Sequence, residues 1–247
     1  MKVQAYDIIG DIHGHADELV NLLTHLGYKD SSDGYAHESR KVIFLGDFID
    51  RGEDLVQHKQ VLEIVMDMVQ QENALAVMGN HEFNALAYHT KHEGHFLRPH
   101  TTKNKKQHQA FLNEFPDDSE EKSIVLDFFY SLPLWLEIDG LRVVHACWDH
   151  DHIQTMDSLC PSHRLDRSAL IKASTKGTKA FNAIEVLLKG FECELPAGIS
   201  FHDKDGNPRT AVRVQWWKQN ASKLAEVVLP IGLDIGDAAE VLIPLNI

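Results

Sequence analysis

The 247-residue chain carries 24 basic and 37 acidic residues, a formal net charge of −13, with 43% hydrophobic residues. That is enough apolar material for one large domain with a sizeable core, while the acidic balance excludes a broad electrostatic face for nucleic acid. The opening MKVQAYDIIGD reaches an acid early and no uncharged run of about 18 residues occurs, so neither a signal sequence nor a membrane helix is expected, and the protein is expected to be soluble and cytoplasmic.

Residues 4–9 predict a short strand, residues 15–26 a helix with apolar spacing at Leu19, Leu22, Leu23 and Leu26, and residues 41–45 a second strand. Leu55, Val61, Leu62, Val65 and Met68 keep helical period, and 74–78 read as a third strand. Strands alternating with helices predict parallel pairing, with ligands at the carboxyl ends of the strands. Helix is expected through 105–131, broken at 116–119, where Ser119 opens a new helix. LWLEIDGLRVVHAC predicts a hairpin turning at Asp139-Gly140, and GISFHDKDGNPRTAVRVQWW a second one around Asp205-Gly206-Asn207. Residues 166–189 between them keep helical spacing. The expected class is α/β: two sheets, one mostly parallel and one more antiparallel, face to face with helices outside. Cys147, Cys160 and Cys193 lack CxxC spacing and are expected to be free thiols.

The stretch LGDFIDRGED (45–54) crowds four carboxylates and Arg51 directly after a strand. Such crowding is favourable only beside a cation. Asp11 and His13 leave the first strand two residues apart, Asp47 leaves the second, Asn80 the third, and His145 closes LRVVH. This mixed nitrogen and oxygen set suits Mn, Fe or Zn, and Asp47 is placed to bridge two ions. Glu53 and Asp54 are expected to cap the following helix.

GDIHGH (10–15), GDFIDRG (46–52), GNHE (79–82) and VVHA (143–146) resemble, in order and spacing, the motifs of calcineurin-like metallophosphoesterases, and within them the bacterial phosphoprotein phosphatase branch. The resemblance implies a four-layer α/β/β/α sandwich of two mixed sheets, a single domain over 1–247 and a possible helical insertion at about 91–131. It also implies two divalent metal ions, manganese first and iron or zinc as alternatives. Asp11, His13 and Asp47 would bind one ion and Asp47, Asn80 and His145 the other. His81 would be the general acid, oriented by Asp50, and Arg51 would hold phosphate. The implied substrate is a phosphoprotein or small phosphomonoester, with no nucleic acid or membrane partner. A symmetrical dinucleoside polyphosphate hydrolase is the alternative enzyme, and a metal-depleted binding or scaffold protein the alternative of another class.

Two departures stand out. Met78 occupies the position where this branch commonly has a second phosphate-binding arginine; Lys91, Arg98 and the group Lys103, Lys105 and Lys106 are candidates to replace it. The family's later Gly-His metal ligand has no counterpart after His145, so the C-terminal ligand segment is expected to be missing, water to complete the shell, or another histidine such as His202 to substitute. His92 and His95 are expected in a loop without metal. Trp148 and Asp149 are candidates for the cleft border, and of Trp216 and Trp217 one is expected to face the core and one solvent, neither with a chemical role.

Overall fold

The computed structural model describes residues 5–31, 34–51, 57–202, 208–218 and 220–242. Strand β1 (Ala5–Ile9), helix α1 (Ala16–His25), β2 (Arg40–Phe44), α2 (His58–Gln70) and β3 (Ala74–Ala76) follow the expected alternation, and the strands pair in parallel in the order β1-β2-β3. Side chains on β2 alternate faces, as a pleat requires. Val42 and Phe44 pack with Leu19, Leu23, Val61, Leu62 and Val65 of the two helices, whereas Ile43 joins Val77, Val143, Leu136 and Ile138 on the other side. A parallel strand buried on both faces reads as a continuous apolar run, which is why VIFL was legible.

Val143, Leu136 and Ile138 come from the hairpin of β6 (Trp135–Ile138) and β7 (Leu141–Val144), which follows α3 (Asn80–His89), β4 (Lys91–His92), β5 (His95–Phe96), α4 (Thr102–Glu114) and α5 (Glu120–Ser131). Its turn is the expected one, with Asp139 at φ 49° and Gly140 at φ 82°. The break before α5 is also as expected: Ser119 accepts the Lys122 N–H. Phe111, Phe115 and Phe129 tie this helical pair into the main core. His92 and His95 are register partners across the β4–β5 turn and both are exposed.

The helical stretch at 166–189 divides into α7 (Arg167–Ser174) and α8 (Lys179–Lys189), after an unforeseen α6 (His150–Asp157). Thr178 caps the start of α8 by accepting the Phe181 N–H, and Gly177 turns the chain at φ 83°. Beyond α8, β8 (Glu192–Glu194), β9 (Phe201–His202), β10 (Pro208–Arg209), β11 (Ala211–Val214) and β12 (Val228–Leu229) form antiparallel pairs, with β11 central between β12 and β8 over a small core of Val212, Val214, Leu224 and Val228. The α/β class thus stands, with the antiparallel strands in separate pieces: the β6–β7 hairpin against the parallel sheet, the β4–β5 and β9–β10 pairs, and the three-stranded β12-β11-β8 sheet. Leu55, the proposed capping pair Glu53 and Asp54, and the turn Asp205-Gly206-Asn207 lie outside the described residues.

All three cysteines are free, and burial pushes the Cys147 thiol up to about 12 and Cys160 up to about 11, so neither is poised as a nucleophile. Among the described residues no helix is long and apolar enough to cross a membrane.

Candidate active site

Two glycines bring the strand ends together. A Cβ on Gly46 would lie 2.3 Å from the Gly79 nitrogen, and one on Gly79 would lie 2.4 Å from the Asp47 nitrogen. The loops after β2 and β3 therefore touch backbone to backbone, and Gly46 also takes φ 89°. Glu82, on the first turn of α3, locks that contact. Its fully buried carboxylate accepts the N–H groups of Asp47 (2.8 Å), Phe48 (2.9 Å) and Gly79 (3.0 Å). Burial, reinforced by the neighbouring Asp47 charge, pushes the Glu82 pKa up to about 7. The loop after β1 is tied to the same place, since the Ile12 and His13 N–H groups both donate to the Asp47 carbonyl at 3.0 Å.

On this frame the side chains converge on one atom. Asp47 Oδ2 lies 3.6 Å from His145 Nε2, 3.8 Å from His13 Nε2 and 3.9 Å from His81 Nε2, while Asp11 Oδ2 is 3.5 Å from His13 Nε2. The far ring nitrogens of two of these histidines are engaged by backbone: His13 Nδ1 donates to the Ile49 carbonyl (2.8 Å) and His145 Nδ1 to the Leu45 carbonyl (2.6 Å). Both rings are thereby turned with Nε2 toward Asp47, the arrangement by which outer-shell partners orient a metal ligand. Burial disfavours a charged His13, but Asp11, the Ile49 carbonyl and Asp47 outweigh it and hold its pKa above the ordinary value; the same contact with His13 lowers that of Asp11.

The chemistry of the set fits a metal ion. His13 Nε2 is buried without a hydrogen-bond partner, a costly state for a polar atom unless a cation takes the lone pair. Two groups have their donor atoms within 4.8 Å of one another, His13 with Asp47 and His81, and Asp11 with Asp47 and His145. Asp47 belongs to both. Asn80 lines the same cleft; with its amide donating to the Leu188 carbonyl (3.3 Å), its oxygen accepts from the His81 N–H (3.2 Å).

Behind the cluster, Asp50 Oδ2 accepts from His81 Nδ1 at 2.8 Å and Oδ1 from His108 Nδ1 at 2.9 Å. Burial works against the Asp50 charge, but the bonds from His108 and His81 prevail and bring its pKa to about 2. His58 completes the clamp, accepting the Asp50 N–H at Nε2 (2.8 Å) while Nδ1 donates to Glu114 (2.8 Å). Asp50 and Arg51 both sit in left-handed backbone, at φ 69° and 64°, a conformation costly for side-chain-bearing residues, and at Asp50 it is held by the bonds to His58, His81 and His108. His108, His58 and Glu114 were not foreseen as site residues. His108→Ala is expected to lower kcat for phosphoester hydrolysis about tenfold, in the range typical of residues that orient a functional group, with KM little changed. His108→Asn, whose amide nitrogen can replace Nδ1, should restore most of the rate. Equal losses in both variants would reduce His108 to a packing residue.

The Asp11, Asp47, Asn80 and His145 side chains open into a cleft of about 310 Å³ that Arg51, the end of α8 and the β11 segment also line. Met78 is fully buried, and the proposed replacements for an arginine there lie elsewhere. Arg98 donates to Asn84 and Gln107 at 2.9 Å, Lys91 sits over the Phe96 ring, and Lys103, Lys105 and Lys106 are exposed along α4. The cations that line the cleft are Arg51, Lys189 and Arg213. His202 is exposed on β9 and belongs to neither donor group. Trp148 packs against the main core, and Asp149 caps α6 by accepting the His152 N–H at 3.0 Å.

The family profile of calcineurin-like phosphoesterases matches residues 6–228. The chain belongs to this family. Two curated relatives are named asymmetrical bis(5'-nucleosyl)-tetraphosphatase PrpE. That of Oceanobacillus iheyensis is 31% identical over 144 residues, 57% of this chain and 54% of the relative. That of Anoxybacillus flavithermus is 47% identical over 77 residues, 31% of this chain and 30% of the relative. The chain thus spans about half the length of the first and under a third of the second. Among solved structures, a cold-active protein tyrosine phosphatase superposes with a TM-score of 0.45 at 17% identity, over 73% of this chain and 57% of that one.

Proposed function

We propose that the chain hydrolyses phosphoesters at the Asp47 cluster, with Asp11, His13 and Asp47 holding one divalent ion and Asp47, Asn80 and His145 a second, manganese being the preferred ion. The observation that carries this reading is the convergence of three imidazole nitrogens on Asp47 Oδ2, with His13 Nε2, 3.5 Å from Asp11, buried and making no hydrogen bond of its own. Bound metal supplies an acidified water and positive charge against the phosphoryl oxygens. His81, held through Nδ1 by Asp50, presents Nε2 to the departing oxygen and delivers its proton. Arg51 offers a planar fork to two phosphate oxygens, which a lysine cannot match.

The phosphomonoester of a phosphoprotein, or a small aryl phosphate, is the first substrate reading. A dinucleoside polyphosphate is the second, favoured by the names of the curated relatives, which are asymmetrical hydrolases rather than the symmetrical kind expected from the motifs. The expected result is phosphate release from p-nitrophenyl phosphate with added Mn²⁺, abolished by chelator. Comparing a phosphopeptide panel with diadenosine tetraphosphate at equal concentration then ranks the two substrates. No turnover of any of them with Mn²⁺, Fe²⁺ or Zn²⁺ would leave the binding or scaffold protein as the better reading.

A further inference from the structure

The cleft does not stop at the carboxylates and histidines. Its lining continues onto β11 and the residues after it, and three features there have no part in the chemistry described above. Trp217 lines the cleft yet is 56% exposed, so its indole face is open to a ligand in the cavity. Trp216 beside it is the packing member of the pair. Its Nε1 donates to the Ala146 carbonyl at 2.8 Å, next to His145, and the two indoles meet edge to face at 5.7 Å. Trp217 is therefore braced against the segment that carries a member of the Asp47 cluster. Arg213, held outward by the alternation that buries Val212 and Val214, crosses Gly190 so closely that a Cβ there would lie 3.2 Å from Arg213 Cδ. Lys189 is paired with Glu185, whereas no hydrogen bond or ion pair engages the Arg213 guanidinium among the described residues.

An exposed aromatic face and a guanidinium together, beside a phosphate-processing cluster, match a ligand with a flat base at one end and phosphate at the other. We infer that the wall formed by Arg213 and Trp217 is a nucleoside subsite, with Trp217 stacking on the base and Arg213 bonding phosphate oxygens between the base and the Asp47 cluster. The substrate class is then a nucleoside polyphosphate, mononucleoside or dinucleoside. This rests on the hydrolase reading above and extends it to the substrate. The cavity, at about 310 Å³, has room for one nucleotide unit and little more.

The test compares AMP with ribose 5-phosphate, which carries the same phosphate without the base, by titration into the protein in excess EDTA with tryptophan fluorescence and calorimetry as readouts. AMP is expected to bind about tenfold more tightly than ribose 5-phosphate and to quench the fluorescence, in keeping with the strength of base stacking on an aromatic side chain. Trp217→Ala should remove the advantage of AMP, Trp217→Phe should keep most of it, and Arg213→Gln should weaken both ligands by a similar factor. Equal affinity of the two ligands for the wild-type protein, or an AMP advantage that survives Trp217→Ala, would overturn the subsite. The hydrolase reading is separated by p-nitrophenyl phosphate turnover with Mn²⁺. Turnover with no preference for AMP removes the subsite alone, and a preference for AMP without turnover of any phosphoester removes the hydrolase reading alone.

Discussion

Asp47→Asn should abolish phosphoester hydrolysis and leave the metal-free protein at least as stable as the wild type. The loss of activity should exceed the about 10–100-fold typical of residues standing behind a ligand, because Asp47 is the atom donor common to both groups. Stability moves the other way for a reason visible in the site. Asp47 is 1% exposed and its charge is one cause of the raised Glu82 pKa. The asparagine keeps Oδ1 as acceptor for the His81 N–H, and its new NH₂ faces the Nε2 atoms of His13 and His145, whose Nδ1–H groups already donate to backbone carbonyls. The pH dependence follows from Glu82. Its pKa in the fold, about 7, lies above the ordinary 4.5, so the folded state binds the extra proton and stability falls as pH rises from about 4.5 through 7. Removing the Asp47 charge should flatten that fall. Denaturant midpoints in EDTA at pH 5 and pH 8 measure it. Added Mn²⁺ should stabilise the wild type by about 2.7 kcal/mol at a hundred times its Kd and the variant hardly at all. A variant that still turns over substrate, or gains as much from Mn²⁺, would remove Asp47 from the centre of the site.

The parts of this arrangement that were legible in the sequence are those fixed by short-range rules. The parallel strands announce themselves because VIFL is buried on both faces, and the Gly-Asp and Gly-Asn pairs because the backbone approach of Gly46 to Gly79 leaves no room for a Cβ. Helix α3 gave no signal. Phe83, Ala85, Leu86, Ala87 and Tyr88 are all buried, so its apolar residues surround the axis instead of marking one face. His108 and His58 were invisible for another reason. The first meets Asp50 across 58 residues of sequence and the second meets Glu114 across 56, and no local pattern encodes such partners. Basic charge is dense in the sequence at 91–106, yet none of those residues lines the cleft. Arg213 instead reaches the cleft because Trp216 pins the β11 segment to Ala146, a contact spanning 70 residues. The alternation in AVRVQWW did contain the clue that Arg213 faces outward, without saying toward what.

His81→Ala should cost about 10²–10⁴-fold in kcat on an alkyl phosphate and much less on p-nitrophenyl phosphate. A departing alkoxide is a strong base and needs a proton in the transition state, whereas nitrophenolate leaves readily as the anion. The gap between the two losses therefore measures proton donation and not a general disturbance of the site. The comparison matters because His81 stands in two relations at once. Its Nδ1 is bound to Asp50 at 2.8 Å, the arrangement of an oriented acid, yet its Nε2 is 3.9 Å from Asp47 Oδ2 and groups with His13 as a possible metal donor. An acid and a ligand leave different traces. If His81 is the acid, Mn²⁺ should stabilise the variant as much as the wild type and the two substrates should part company. If it is a ligand, the Mn²⁺ stabilisation should fall and both substrates should lose rate together. The bond from Asp50 favours the first outcome, since it fixes the ring through Nδ1 and leaves Nε2 directed at the cluster, the geometry of an oriented proton donor.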